Sequence, residues 1–138
     1  MKKYLLDTSP LAAYLLQREP AVSIIKPLIE QHEITTSIIV YAEVIEYIKG
    51  LSHYSQRHYE LRQLLREIYP YFLTYAILER YATIRRTLRP PHGKGLIGDM
   101  DTLIAATAIE RNLTIITIDR DFERVPHLKI KLVDLKAA

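Results

Sequence analysis

The 138-residue chain contains no cysteine. That excludes disulfides, thiolate nucleophiles and cysteine-built zinc sites, and it makes a reducing cytoplasm the simplest home. Long hydrophobic runs are missing as well: no stretch approaches the roughly 18 uninterrupted apolar residues of a membrane span. A secretory leader is not expected. Lys2 and Lys3 followed by apolar residues imitate one, but Asp7 and Pro10 interrupt the run and no small-residue cleavage site follows. Charge of one sign is not dominant either. With 19 Lys and Arg against 16 Asp and Glu the formal charge is +3, which permits a nucleic-acid partner without demanding one, because a basic footprint depends on clustering. Internal repeats, low-complexity tracts and linkers are absent, so residues 1–138 are expected to form a single domain. A domain near this size buries roughly 68 to 70% of its unfolded surface, enough for a substantial core.

What is present alternates between short apolar runs and helical patterns. Tyr4-Leu5-Leu6 predicts a first strand, after which Ser9 and Pro10 read as a helix cap and first helical residue. Pro20 to Gln31 predicts a second helix, kinked or divided at Pro27. Ile34-Thr35-Thr36 predicts a strand, with Ser37 capping a helix that stops at Gly50. Ser52 to Ile68 carries Leu61, Leu64, Leu65 and Ile68 at helical spacing, with Tyr54, His58, Arg62 and Arg66 on another face. Tyr71-Phe72-Leu73 predicts a third strand. Thr74 then caps a helix whose buried stripe is Ile77, Leu78, Tyr81, Ile84 and Leu88. The segment from Arg89 to Gly95 must be a loop. A helix from Asp99 or Asp101 to Asn112, a strand ending near Asp119 and a β segment at Ile130 to Val133 complete the chain. Strands separated by helices of this length need crossover connections, hence an α/β fold with a mostly parallel sheet and helices on both faces.

Four acids, Asp7, Glu43, Asp101 and Asp119, sit where different elements begin or end, each in apolar surroundings. Strand ends of this kind are where ligands bind in open α/β sheets. Each acid also has a structural explanation: Asp7 and Asp101 as helix-starting carboxylates, Asp119 as a turn initiator, Glu43 as a solvated helix position. Glu43 is the least comfortable of them, since Ile38 to Ala42, Val44 and Ile45 surround it with apolar groups, although Glu46 shares its narrow polar stripe. If the four converge, repulsion matters: two carboxylates 4 Å apart repel by roughly 4 kcal/mol at an effective dielectric of 20. Oxygen-only ligands suit Mg²⁺ or Mn²⁺, and such a cluster suits hydrolysis of a nucleic-acid backbone. Thr8, Asp99, Thr117 and Asp121 are candidates for supporting or replacing a ligand. Arg85, Arg86, Arg89 and Lys94, in sequence just before the third acid, are candidates for holding RNA, as is the helix with Tyr54, Arg57, His58 and Arg62. His32, His53, His58, His92 and His127 are scattered, and no pair suited to metal-free RNA cleavage stands out.

The sequence resembles a PIN-domain ribonuclease, and most closely a VapC-type toxin of toxin-antitoxin pairs, over nearly its whole length. Tyr4-Leu-Leu-Asp-Thr-Ser9 is similar to the family's opening strand and first acid. Ser37-Ile-Ile-Val-Tyr-Ala-Glu43 places the family's serine six residues before its glutamate, which favours Glu43 over Glu46. Ile97-Gly-Asp-Met-Asp-Thr-Leu-Ile-Ala-Ala-Thr-Ala108 resembles the segment of the third acid, Asp101, and Ile116-Thr-Ile-Asp-Arg-Asp-Phe122 that of the fourth, Asp119. The resemblance implies a three-layer α/β/α sandwich, a Mg²⁺ or Mn²⁺ site, RNA cleavage, homodimerisation and a cognate antitoxin. Asp7 and Asp101 are then the primary ligands, Glu43 completes the site or positions water, and Asp119 is the least firmly assigned.

Two other classes compete. A phosphotransfer domain also places an aspartate after its first strand, but the phosphatase pattern wants a second aspartate where this chain has Ser9, and a receiver lacks the acidic start of the Asp101 helix. A non-catalytic PIN-like module that binds RNA or protein has less need of all four acids. A PIN nuclease of RNA processing is the third alternative.

Overall fold

In the computed structural model, which describes residues 1–136, five strands form one sheet in the order β3-β2-β1-β4-β5. Every neighbouring pair is parallel. The strands are β1 (Tyr4–Leu6), β2 (Ile34–Ser37), β3 (Pro70–Tyr71), β4 (Thr114–Thr117) and β5 (Lys129–Leu132). The helices flanking them are α1 (Thr8–Leu15), α2 (Ala21–Glu30), α3 (Ile38–Lys49), α4 (Tyr54–Glu67), α5 (Tyr75–Leu88) and α6 (Asp99–Glu110). This is the expected α/β/α sandwich. A short 3-10 helix, Arg120–Arg124, lies between β4 and β5.

The order of the strands sets the position of the site. From β1 the chain builds outward through β2 to β3, then returns to the other side of β1 with β4 and β5. The reversal falls between β1 and β4, and the crevice beyond their carboxyl ends is where an open parallel sheet binds ligands. Leu5, Leu6, Ile115 and Ile116 are fully buried there. Ala105, Ala106 and Ala108 of α6 are equally buried, their small side chains allowing the helix to lie close to the sheet. The ladder continues past β1: the Asp7 amide donates to the Ile116 carbonyl at 3.0 Å. The Thr36 hydroxyl donates to the Leu6 carbonyl at 2.8 Å, so the end of β1 is pinned from both neighbours.

Several local details depart from the expectations of the sequence. The first helix begins at Thr8 with Asp7 as its N-cap, so Ser9 and Pro10 lie inside the first turn, because the strand passes into the helix without a loop. Pro27 sits inside α2, which runs through it as one element. Gly50 ends α3 with φ −84°, without the left-handed conformation that makes glycine a stop signal. The third strand is Pro70–Tyr71 rather than Tyr71 to Leu73, a position proline tolerates on an edge strand. Of the stripe expected on α5, Ile77, Ile84 and Leu88 are buried, but Leu78 is 41% exposed. Ser37 and Thr74 cap as expected, accepting from the amides of Ile39 (3.0 Å) and Ile77 (3.2 Å). Asn112 takes the left-handed conformation, φ 56°.

Candidate metal centre

Three acids meet at the β1–β4 crevice. Asp7, Glu43 and Asp101 each offer one carboxylate oxygen, and these oxygens all lie within 4.8 Å of one another. Asp7 is delivered by the end of β1, Glu43 by the second turn of α3, and Asp101 by the first turn of α6. Together with Thr8, Ser9, Ile118 and Asp119 they line an open cleft of about 460 Å³. Glu46, the other candidate on α3, is exposed and lines the neighbouring groove instead.

Hydroxyls hold two of these carboxylates, Asp7 and Glu43. Thr117, fully buried at the end of β4, donates to Asp7 Oδ2 at 2.6 Å. Thr8 donates to Glu43 Oε1 at 2.5 Å. Thr117 also accepts from the Asp119 amide at 3.0 Å, which links the first acid to the turn carrying the fourth.

Electrostatically the group is unsatisfied. Burial raises the Asp7 carboxyl above the usual carboxylate range, against the Thr117 hydroxyl and Thr8 amide and with the charges of Glu43 and Asp119. Asp101 is pushed up to about 6, by burial first and then by the charges of Asp7, Asp119, Glu43 and Asp121. Among the described residues no ion pair reaches Asp7, Glu43 or Asp101. Three carboxylates this close, with hydroxyls for neighbours and no basic partner, fit a hard divalent cation, and an oxygen-only donor set fits Mg²⁺ or Mn²⁺.

The other candidates are arranged differently. Asp119 lines the cleft, but its Oδ1 accepts from the Asp121 amide at 2.8 Å and caps the 3-10 helix, so its carboxylate stands outside the group of three. Asp121 pairs with Arg124 at 3.4 Å. Asp99 Oδ1 pairs with Arg85 at 2.7 Å and accepts from the Tyr81 hydroxyl at 2.9 Å. Arg86, Arg89 and Lys94 are exposed and do not line the cleft. His32, His53 and His127 occupy left-handed turn positions, and His58 stacks on Tyr54 with ring centroids 5.6 Å apart. Ser9 and Ile118 are cleft residues that the sequence reading passed over. Ser9 was discernible only from its place two residues after Asp7.

The family model of the PIN domain matches residues 4–128. The chain belongs to the PIN domain family. Solved structures similar to this PIN domain include VapBC2 from Rickettsia felis bound to a DNA fragment from its promoter. The likeness there has TM-score 0.83 and 24% identity over 95% of this chain and 98% of that chain. VapBC-1 from nontypeable Haemophilus influenzae is similar with TM-score 0.78 and 27% identity over 94% and 96% of the two chains. FitAcB from Neisseria gonorrhoeae gives 0.76 and 25% over 92% and 95%. At 24% identity the likeness to the Rickettsia protein speaks for the PIN fold alone. No curated protein sequence matches the chain. No described helix of this PIN domain is long and apolar enough to cross a membrane.

Proposed function

We propose that this PIN domain, a single domain over residues 1–138, is a Mg²⁺- or Mn²⁺-dependent endoribonuclease and the toxin of a toxin-antitoxin pair. The observation that carries the reading is the trio Asp7, Glu43 and Asp101, with oxygens within 4.8 Å of one another at the carboxyl edge of a parallel sheet. The likeness to VapBC-1 from Haemophilus influenzae, at 27% identity, supports the toxin assignment.

Asp7 and Asp101 would hold the ion, with Glu43 completing its shell or orienting water. A bound Mg²⁺ or Mn²⁺ supplies Lewis-acid stabilisation of the phosphodiester oxygens and acidifies water. The protein's own contribution is orientation. Thr117 donates to one oxygen of Asp7 and Thr8 to one oxygen of Glu43, which fixes how each carboxylate is turned. Asp119 lines the same cleft and is the acid available to a water or a second ligand shell. Water as nucleophile, in line with the ribose leaving oxygen, leaves a 5′-phosphate. RNA is the substrate class, with Arg86, Arg89 and Lys94 the exposed basic groups for its backbone. A second copy and a cognate antitoxin are the expected protein partners, in a reducing cytoplasm. Exposed Tyr69, Phe72 and Tyr75 near the β3 edge give such a partner apolar surface to cover.

The test is cleavage of a mixed cellular RNA pool by the purified chain with Mg²⁺ or Mn²⁺, with EDTA, and by Asp101→Asn. Cutting that needs the metal and disappears in the variant supports the reading. RNA bound but never cut turns it into a non-catalytic binding module.

A further inference from the structure

Helix α6 carries Asp101 in its first turn, and no side chain caps the start of the helix. Its N-cap is Gly98, which offers no side chain to cap it, and a Cβ there would meet nothing within 4 Å. The start of the helix is held from outside, on two sides. On one side, one turn apart on α5, the Tyr81 hydroxyl donates to one oxygen of Asp99 at 2.9 Å and Arg85 forms an ion pair with the same oxygen at 2.7 Å. On the other, Arg124 from the 3-10 helix donates to the carbonyl of Leu96 at 3.1 Å while pairing with Asp121. Between these two anchors lie only Ile97, which is buried, and Gly98.

We propose that Arg85 and Tyr81 are positioning residues for the metal centre: by gripping Asp99 they hold the first turn of α6 so that Asp101 meets Asp7 and Glu43. This inference rests on the reading of the trio as a cation site. It gives Arg85 and Asp99 a task other than RNA binding or ligation, since each is the other's partner. The Arg85–Asp99 pair is partly exposed, with side-chain exposures of 22% and 65%, and a pair of that kind contributes little to global stability. Its effect should therefore appear in cation affinity and leave melting nearly unchanged.

Charge and position make opposite forecasts, which makes the idea testable. Replacing Arg85 with methionine removes a positive charge and frees Asp99, so electrostatics alone would tighten Mn²⁺ binding. Lost positioning would weaken it. The experiment is Mn²⁺ titration of the full chain without RNA, followed by calorimetry or by the resonance of free Mn²⁺, with thermal melting alongside. The expected result is affinity about tenfold weaker in Arg85→Met, the scale of losing a residue that supports a ligand. A smaller loss is expected in Tyr81→Phe, which changes no charge, and near-normal affinity in Arg85→Lys. Unchanged or tighter binding by a folded Arg85→Met overturns the proposal. If that variant does not fold, Tyr81→Phe decides, and wild-type affinity there overturns it equally. A wild-type chain that binds no Mn²⁺ at all sinks the cation reading itself, and this inference with it.

Discussion

The acids of this chain fall into two neighbouring sets that the fold treats in opposite ways. On the rim, both aspartates are paired, Asp99 with Arg85 and Tyr81 and Asp121 with Arg124, while Asp119, at the edge of the cleft, spends one oxygen on the Asp121 amide. In the cleft, Asp7 and Glu43 receive one threonine hydroxyl each, and among the described residues no basic side chain pairs with either of them or with Asp101. A protein that pairs its rim acids with arginines, and not those inside the cleft, leaves room for charge from elsewhere. On the proposed function, the difference between the sets separates carboxylates with structural work from carboxylates that would hold a cation.

The comparison breaks first on activity. Asp101→Asn or Asp7→Asn is expected to lower metal-dependent RNA cleavage by on the order of 10²–10³-fold or more, the scale of losing one electrostatic contact to a transition state. Asp121→Asn should leave most of it, as a gel-based cleavage assay would show. If rim and cleft substitutions cost the same, the two sets are not distinct.

Next in size is the threonine behind Asp7. Thr117→Val removes the 2.6 Å bond to a buried carboxylate. It should cost roughly 1–3 kcal/mol of stability in chemical denaturation and roughly 10–100-fold in Mn²⁺ affinity. A neutral outcome would mean that Asp7 is oriented by its backbone alone.

Stability without metal sharpens the comparison further. Asp101 ionises at an ordinary 3.8 in the unfolded chain and at about 6 in the folded one. Between these values the folded state binds more protons, so stability falls as pH rises through the window and the penalty is complete above about 6. In EDTA at neutral pH, Asp101→Asn should therefore melt higher than the wild type. About 1 kcal/mol after allowing for solvent screening corresponds to about 3–5 °C. Saturating Mn²⁺ should reverse the ranking, since about 100 times the dissociation constant adds roughly 2.7 kcal/mol to the chain that binds it. If Asp101→Asn melts lower in EDTA, the acid is a structural cap.

The smallest effect belongs to the rim. Asp121→Asn breaks a half-exposed pair with Arg124 while leaving the Arg124 bond to the Leu96 carbonyl, and should change stability by less than about 1 kcal/mol.

Much of this was legible in the residues. Leu5-Leu6-Asp7 and Ile115 to Asp119 read as buried strands ending in acids because a strand covered on both faces is apolar without alternation, so the first polar residue marks its end. The choice of Glu43 over Glu46 came from a resemblance, and spacing alone could not have made it, since both lie on one side of α3. Direction was the hidden quantity. Asp99 and Asp101 are neighbours in one helical turn, yet one faces α5 and the other the cleft. The partner that separates them, Arg85, depends on how α5 packs against α6 across a loop with no periodicity to read. The same holds for Asp119, whose capping bond is set by a 3-10 turn too short to leave a pattern.

The most direct test of the account is Mn²⁺ titration of the wild-type chain beside Asp101→Asn and Asp121→Asn. The account predicts binding by the wild type, loss of at least about tenfold in affinity for the cleft variant, and a change of no more than about threefold for the rim variant. Equal losses in both variants, or no binding by the wild type, would contradict it.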